Sequence, residues 1–163
     1  QRLFKLIAAI EEIPHITRLR IHTRLPVVIP ARINKSLVTR LSESRLAIVM
    51  VLHANHANEI DKEVQMACQR LHDAGIHLLN QSVLLKGVND SEQALIELSE
   101  RLFTSHVLPY YLHLLDPVVG AHHFDVSKSD AKRLMAQIVQ RLPGFLVPKL
   151  VRETAGEGSK TAI

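Results

Sequence analysis

Residues 46–53 read LAIVMVLH, an almost unbroken apolar run that ends in a histidine. A strand that is apolar on both faces is typical of a sheet that helices cover on both sides. We therefore predict a buried strand here, with His53 at its carboxyl end.

Four similar runs accompany it along the chain, and segments with the apolar spacing of helices separate them. The runs cover residues 16–22, 77–84, 107–115 and 147–152. Strands that alternate with helices predict an α/β fold with a parallel sheet. At 163 residues, 47% of them hydrophobic, the chain is large enough for the core of one domain.

Polar side chains follow each run, which matters because parallel α/β folds bind ligands at the carboxyl ends of their strands. The sequence therefore predicts one site assembled from several strand ends. The candidates in chain order are His22 and Arg24, then His53, Asn55 and His56, then Asn80 and Gln81, then Asp116, then Glu153, and finally Lys160 in a Gly-rich tail.

Charge and hydropathy exclude two classes of partner. The net charge is +4, but lysines and arginines are scattered beside acids, so we expect no nucleic-acid partner. No stretch approaches about 18 uninterrupted apolar residues, so we expect no membrane association and a cytoplasmic location. Cys68, the only cysteine, lies in an apolar helical segment and is interpreted as a core residue.

The ten histidines suggest a metal site, but their spacing does not support one. His53 and His56 are three residues apart at a strand end, and His122 and His123 are adjacent in a loop. Neither pair has the helical spacing or the nearby carboxylate of a zinc motif, so we predict no bound metal. A hydrogen bond from His53 to a substrate or cofactor is the better hypothesis.

Lys160 is the candidate nucleophile. It follows the segment AGEGS (155–159), whose glycines permit a flat or phosphorylated ligand to approach the backbone. A desolvated lysine amine can attack an aldehyde cofactor such as pyridoxal phosphate. A solvated terminal tail is the ordinary alternative. Asp116 and Glu153 end successive strands and could hold a substrate ammonium group, with surface or helix-capping roles as the alternative.

Five segments carry a family resemblance: PHITRLRIHTRLPVVIPARI (14–33), LHANHANEI (52–60), ACQRLHDAGIHLLNQSVLLKGVND (67–90), LPYYLHLLDPVVGAHHF (108–124) and VPKLVRETAGEGSK (147–160). Together they resemble the carboxyl-terminal half of the lysine 2,3-aminomutase family, and are most similar to the shorter type that supplies β-lysine for bacterial elongation factor P. The resemblance implies a partial (β/α) barrel of the radical S-adenosylmethionine (SAM) type. We interpret residues 1–163 as the carboxyl-terminal part of one such domain.

The resemblance implies an isomerase that moves the amino group of lysine from C2 to C3, with pyridoxal phosphate, S-adenosylmethionine and a 4Fe-4S cluster as cofactors. Lys160 matches the lysine that holds pyridoxal phosphate. Asp116 and Glu153 match acids that bind the side-chain ammonium of lysine. His53 and Gln81 match positions that line the cofactor, and Arg24 is assigned to its phosphate. The implied partners are lysine, elongation factor P and the enzyme that transfers lysine to it, while a homo-oligomer stays open.

Three departures qualify the resemblance. The cluster motif CxxxCxxC is absent, so we expect the cluster ligands upstream of this chain and expect the chain alone to be inactive. Ser91 stands where longer relatives carry a zinc-binding cysteine, which argues against zinc. Glu157 interrupts a loop that is richer in glycine in relatives. Two other functions stay open: a Schiff-base barrel enzyme that uses Lys160 without radicals, resembling an aldolase, and a non-enzymatic domain that binds anions or a partner.

Overall fold

The fold is a single sheet with helices packed against it, seen in a computed structural model that describes residues 2–153, 156 and 160–163. The strands are β1 (Arg18–Thr23), β2 (Ala47–Leu52), β3 (His77–Leu84), β4 (Val107–Leu114), β5 (Lys149–Arg152) and β6 (Thr161–Ala162). The helices are α1 (Arg2–Glu11), α2 (Leu25–Val28), α3 (Lys35–Ser42), α4 (Lys62–Asp73), α5 (Glu92–Thr104) and α6 (Lys128–Val139). Short 3-10 helices span Pro30–Arg32, Ala57–Glu59, His122–Phe124 and Gly144–Leu146.

The sheet confirms the predicted α/β class. Its strands lie in chain order, and each of β1 to β4 pairs in parallel with the strand that follows. The carboxyl ends of the five long strands therefore meet at one edge. β6 was not predicted: it returns antiparallel to β5, pairing Ala162 with Val151 and Thr161 with Arg152. This return brings Lys160 back over the strand ends.

The helices pack against one face of β2, which corrects the prediction that both faces are covered. Ile48, Met50 and Leu52 belong to a buried cluster that includes residues of α1, α3 and α4. Val49 and Val51 point the other way, because side chains alternate along a strand. By register, Val51 shares its face with His22 of β1. This second face, called the inner face below, carries the polar residues of the site.

Four of the helices begin directly after a polar residue that caps them. The side chains of Asn34, Asp61, Ser91 and Ser127 each accept a hydrogen bond from a backbone N–H three residues later. The segment around Pro26 and Pro30 forms α2 and a 3-10 helix. Proline fits there because the first turn of a helix needs no backbone donor. No helix in the described ranges is long and apolar enough to cross a membrane.

Candidate active site

Lys160 lies on the inner face with its amine held by two side chains. Its Nζ atom donates to Oε1 of Gln81 at 2.9 Å and lies 2.9 Å from Nε2 of His113. The ring of Tyr111 is beneath it, with Nζ 5.0 Å from the ring centroid. The contact with Gln81 brings a residue of the predicted site to Lys160, although Gln81 lies within β3 instead of at its end.

His113 and Tyr111 are site residues that sequence reasoning missed. His113 is 5% exposed and is the penultimate residue of β4, where a polar residue interrupts an apolar run. That interruption was the available signal. A β-bulge opposite Asn80 and Gln81 shifts the register of β4 and sets Tyr111 opposite Gln81.

The protonation states of the pair follow from burial. Burial lowers the pKa of His113 to about 4, and the nearby charge of Lys160 lowers it as well. His113 is therefore neutral at neutral pH. Burial also lowers the pKa of Lys160, whereas the carboxylates of Glu153 and Asp116 raise it. Burial thus makes the neutral, nucleophilic form of this amine easier to reach than in a solvent-exposed lysine.

His53 lies directly after β2 and carries the unsatisfied atom of the site. Its Nε2 atom is buried and has no hydrogen-bond partner among the described residues. The ring meets that of His22 edge to face, with centroids 5.8 Å apart. Burial lowers the pKa of both histidines, so both favour the neutral form. A buried imidazole nitrogen without a partner fits a ligand that supplies one.

Arg24 follows β1 at the same edge of the sheet, but its guanidinium is not free. It pairs with the carboxylate of Glu59. The other oxygen of Glu59 accepts from the backbone N–H groups of Asn55 and His56 at 2.6 and 3.0 Å. Glu59 therefore fixes Arg24 and the loop after β2 in one position.

Buried amides tie the strand ends together beneath the site. Asn89 accepts from the backbone of Leu85 at 2.7 Å and donates to the carbonyls of Asn55 and Val83 at 2.8 and 2.9 Å. Asn80, predicted as a strand-end site residue, instead faces the helices and bonds the backbone of Ala54 through both of its side-chain atoms. These amides are scaffold for the loops after β2 and β3.

Asp116 and Glu153 line an open groove beyond the ends of β4 and β5. Both carboxylates raise the pKa values of Lys160 and His113, although Lys160 itself does not line this groove. Arg152 directly precedes Glu153 in the sequence. The structure places Arg152 in the groove lining, together with the apolar residues Val118 and Val119.

The described residues do not fit an iron–sulfur or zinc site. No group of three or more His, Cys, Asp or Glu side chains within them is arranged to hold a metal ion. Cys68 is fully buried in α4, and burial raises the pKa of its thiol to about 11, so it stays protonated. Ser91 caps α5 by accepting from the backbone N–H of Ala94 at 3.2 Å.

The inner face does fit pyridoxal phosphate. It offers an amine whose pKa burial lowers, a buried nitrogen of His53 in need of a partner, and a cationic side chain, Arg24, at the strand ends. Most of the Gly-rich segment before Lys160, including Glu157, lies outside the described residues. Gly156 is described, and its φ of 90° is a conformation that glycine adopts without strain.

Sequence comparisons confirm the resemblance. No family model matches the chain. It is 52% identical over 158 residues to L-lysine 2,3-aminomutase of Escherichia coli and 56% identical over 156 residues to that of Haemophilus influenzae. These alignments cover 97% and 96% of this chain but 46% of each relative. The Clostridium subterminale enzyme of the same name is 40% identical, with 97% of this chain and 38% of the relative covered. The chain thus spans about half the length, or less, of these relatives.

Solved structures share the fold at low sequence identity. A radical SAM methyltransferase from Sphaerobacter thermophilus superposes with a TM-score of 0.62 at 18% identity, covering 86% of this chain and 42% of the other. Streptococcus suis SuiB, bound to S-adenosylmethionine, gives 0.62 at 20%, covering 94% and 36%. A domain of a pyruvate-formate lyase-activating enzyme from Bacteroides vulgatus gives 0.58 at 12%, covering 92% and 90%. The α/β fold of this chain is therefore shared with a radical SAM methyltransferase and with these two other proteins.

Proposed function

The chain is a homologue of the L-lysine 2,3-aminomutases over nearly all of its length, and on that premise we propose that its protein converts L-α-lysine to β-lysine. In this proposal residues 1–163 form the carboxyl-terminal part of one radical SAM barrel domain. The observation that carries the proposal is the placement of Lys160. Its amine lies on the inner face against Gln81 and His113.

Lys160 is proposed to hold pyridoxal phosphate. When bound, the cofactor supplies a conjugated ring that stabilises an unpaired electron beside the migrating nitrogen. Nucleophilic attack by an amine requires its neutral form, and burial of Lys160 favours that form. Gln81 and His113 restrict where the amine can go. Lys160 is thereby ready to bind the cofactor and ready to be displaced by a substrate amine.

His53 and Arg24 are proposed to bind the rest of the cofactor. The unpartnered Nε2 atom of His53 offers a hydrogen bond to a polar group of the ring. Arg24 offers charge to the phosphate, while Glu59 holds its guanidinium in place. The exposed guanidinium can keep this partner and still donate, because it carries several N–H groups.

Asp116 and Glu153 are proposed to bind the side-chain ammonium of lysine. They line one groove, and both carboxylates raise the pKa of Lys160. Two carboxylates around one ammonium give charge-assisted hydrogen bonds that a shorter or uncharged side chain cannot make. This arrangement would select lysine over amino acids without a distal amine.

The radical half of the chemistry is proposed to come from S-adenosylmethionine and a 4Fe-4S cluster. The described residues contain no cluster ligand set, and the buried thiol of Cys68 does not provide one. The proposal therefore assigns the cluster ligands to residues outside this chain. SuiB, which shares this fold, binds S-adenosylmethionine, and this supports the assignment.

Elongation factor P is the proposed destination of the β-lysine, and the enzyme that transfers lysine to it is the proposed functional partner. Support comes from the higher identity to the Escherichia coli and Haemophilus influenzae relatives than to the Clostridium one. Ser91, used here as a helix cap, is also consistent with the type that binds no zinc. Mass spectrometry of elongation factor P, from cells with and without the gene, tests the link.

The activity is tested with the intact protein under anaerobic reducing conditions, supplied with L-lysine, pyridoxal phosphate and S-adenosylmethionine. Chromatography should detect β-lysine, and its formation should require S-adenosylmethionine. Lys160→Arg should abolish the product, because a guanidinium keeps the charge without the nucleophile. Turnover of a substrate without S-adenosylmethionine would instead support the non-radical Schiff-base enzyme. Absence of any lysine product from a cluster-loaded protein would contradict the proposal.

A further inference from the structure

The contact between His113 and Lys160 identifies a second residue that acts on the proposed cofactor lysine. His113 is buried in β4, and its Nε2 atom is 2.9 Å from Nζ of Lys160. Gln81, on the neighbouring strand β3, contributes the second partner of the same amine. Three elements that are distant in sequence thus converge on one nitrogen atom.

The chemistry of these groups defines what the amine does there. The Gln81 contact is to an amide oxygen, which can only accept, so the amine spends one N–H on it. The imidazole of His113 is neutral at neutral pH and can accept a second N–H. The rings of Tyr111 and His113 meet edge to face, with centroids 5.7 Å apart and planes at 83°. This packing restricts the orientation of the imidazole.

We propose that His113 is a positioning residue for Lys160, and that its Nε2 atom together with Gln81 forms a resting place for the free amine. The inference rests on the proposed cofactor role of Lys160. A lysine that binds a cofactor and is displaced by a substrate amine must be held nearby while it is free. The two hydrogen bonds keep the amine within reach, so that it recaptures the cofactor after each turnover.

Titratable and charged groups around Lys160 affect the protonation of its amine. The experiment must therefore distinguish an effect on protonation from an effect on the position of the amine. The groups that act on Lys160 or His113 are Glu153 from the end of β5, Asp116 from the end of β4, Tyr110 from β4, Arg20 from β1 and His53 from the end of β2. None of them is altered by a substitution at His113. At high pH the amine is neutral in every variant, so rates measured there report position alone.

The experiment compares His113→Phe with His113→Gln in the intact protein. The amide of Gln can reach the same point and accept a hydrogen bond, whereas Phe fills the space without an acceptor. His77→Gln, an exposed histidine at the start of β3, is the matched control. Stopped-flow absorbance follows covalent capture of pyridoxal phosphate at saturating cofactor on the high-pH plateau. A second readout is the pH profile of Lys160 labelling by an amine reagent, without cofactor, located by peptide mass mapping.

His113→Phe should capture the cofactor about tenfold more slowly, the usual worth of one hydrogen bond, while His113→Gln and the control stay near the wild-type rate. The labelling profile of His113→Phe should move to lower pH, because a lost acceptor disfavours the ammonium form. Equal plateau rates in all variants that still label at Lys160 would overturn the positioning role. Capture that survives Lys160→Arg would overturn the proposed function instead, so the two failures are distinguishable. If His113→Phe does not fold, His113→Asn replaces it, because the shorter side chain of Asn cannot reach Nζ. A wild-type capture rate in His113→Asn would also overturn the positioning role.

Discussion

The Oε1 atom of Gln81 lies 2.9 Å from the Nζ atom of Lys160, although 79 residues separate the two in the chain. The strand β3 supplies one residue, and the antiparallel return of β6 supplies the other. This contact ties the terminal segment to the middle of the sheet. A substitution at Gln81 therefore tests the proposed role of the inner face in cofactor binding.

Replacing Gln81 with leucine should weaken pyridoxal phosphate capture without unfolding the protein. Leucine has nearly the same size but no acceptor, so the amine loses one of its two partners. We expect roughly a tenfold loss in capture, measured by absorbance titration. Gln93→Leu on the exposed surface of α5 is the control and should bind normally. Full-strength capture by Gln81→Leu would show that this contact does not hold the amine.

Asp116→Asn should reduce lysine turnover while cofactor loading persists. The neutral amide keeps the shape of the carboxylate but loses the charge that pairs with an ammonium. We expect kcat/KM for lysine to fall by roughly ten- to a hundredfold. Asp125→Asn, in the same groove lining, is the matched control. Unchanged kinetics with Asp116→Asn would remove this residue from substrate binding.

The stability of the fold should fall between pH 6.5 and about 4 because of His113. Burial holds the folded pKa of His113 near 4, against an ordinary value of 6.5. The unfolded chain therefore binds more protons in this window, and stability that is full above pH 6.5 is lost as the pH falls. The shift corresponds to a loss on the order of 3 kcal/mol.

Urea unfolding across this pH range measures the effect. His22 and His53, whose pKa values burial also lowers, act in the same direction, so His113→Gln should flatten the slope in part. A variant whose pH slope matches that of the wild type would show that His113 is not buried as described.

How far the sequence could predict this structure depends on the element. The apolar runs and the helical segments between them predicted β1 to β5 and their parallel pairing, because burial imposes a characteristic spacing on apolar residues. β6 is two residues long and carries no period. His113 was missed because an apolar strand does not reveal which of its faces carries a site. For the same reason Asn80 was predicted to join the site, although the pleat turns it toward the helices. The positions of Asp116 and Glu153 beyond β4 and β5 were predicted because a strand end is readable from sequence.

Arg45 should be a major surface contributor to stability. Its guanidinium donates to the backbone carbonyls of Glu11, Ile13 and Ile16 at 2.7, 2.7 and 2.8 Å, which fixes the turn between α1 and β1. Arg45→Lys cannot reproduce this fork and should cost about 1–3 kcal/mol in urea unfolding. Arg133→Lys, at an exposed ion pair, should change stability by less than about 0.5 kcal/mol. Equal effects of the two substitutions would contradict the role of Arg45.

Covalent attachment of pyridoxal phosphate to Lys160 is the central claim, and borohydride reduction tests it most directly. The intact protein is loaded with pyridoxal phosphate, reduced, digested and mapped by mass spectrometry, with Lys160→Arg as the control. We expect a pyridoxyl group on Lys160 in the wild type and no preferred site of pyridoxyl attachment in the control. A pyridoxyl group on a different lysine, retained in Lys160→Arg, would contradict it.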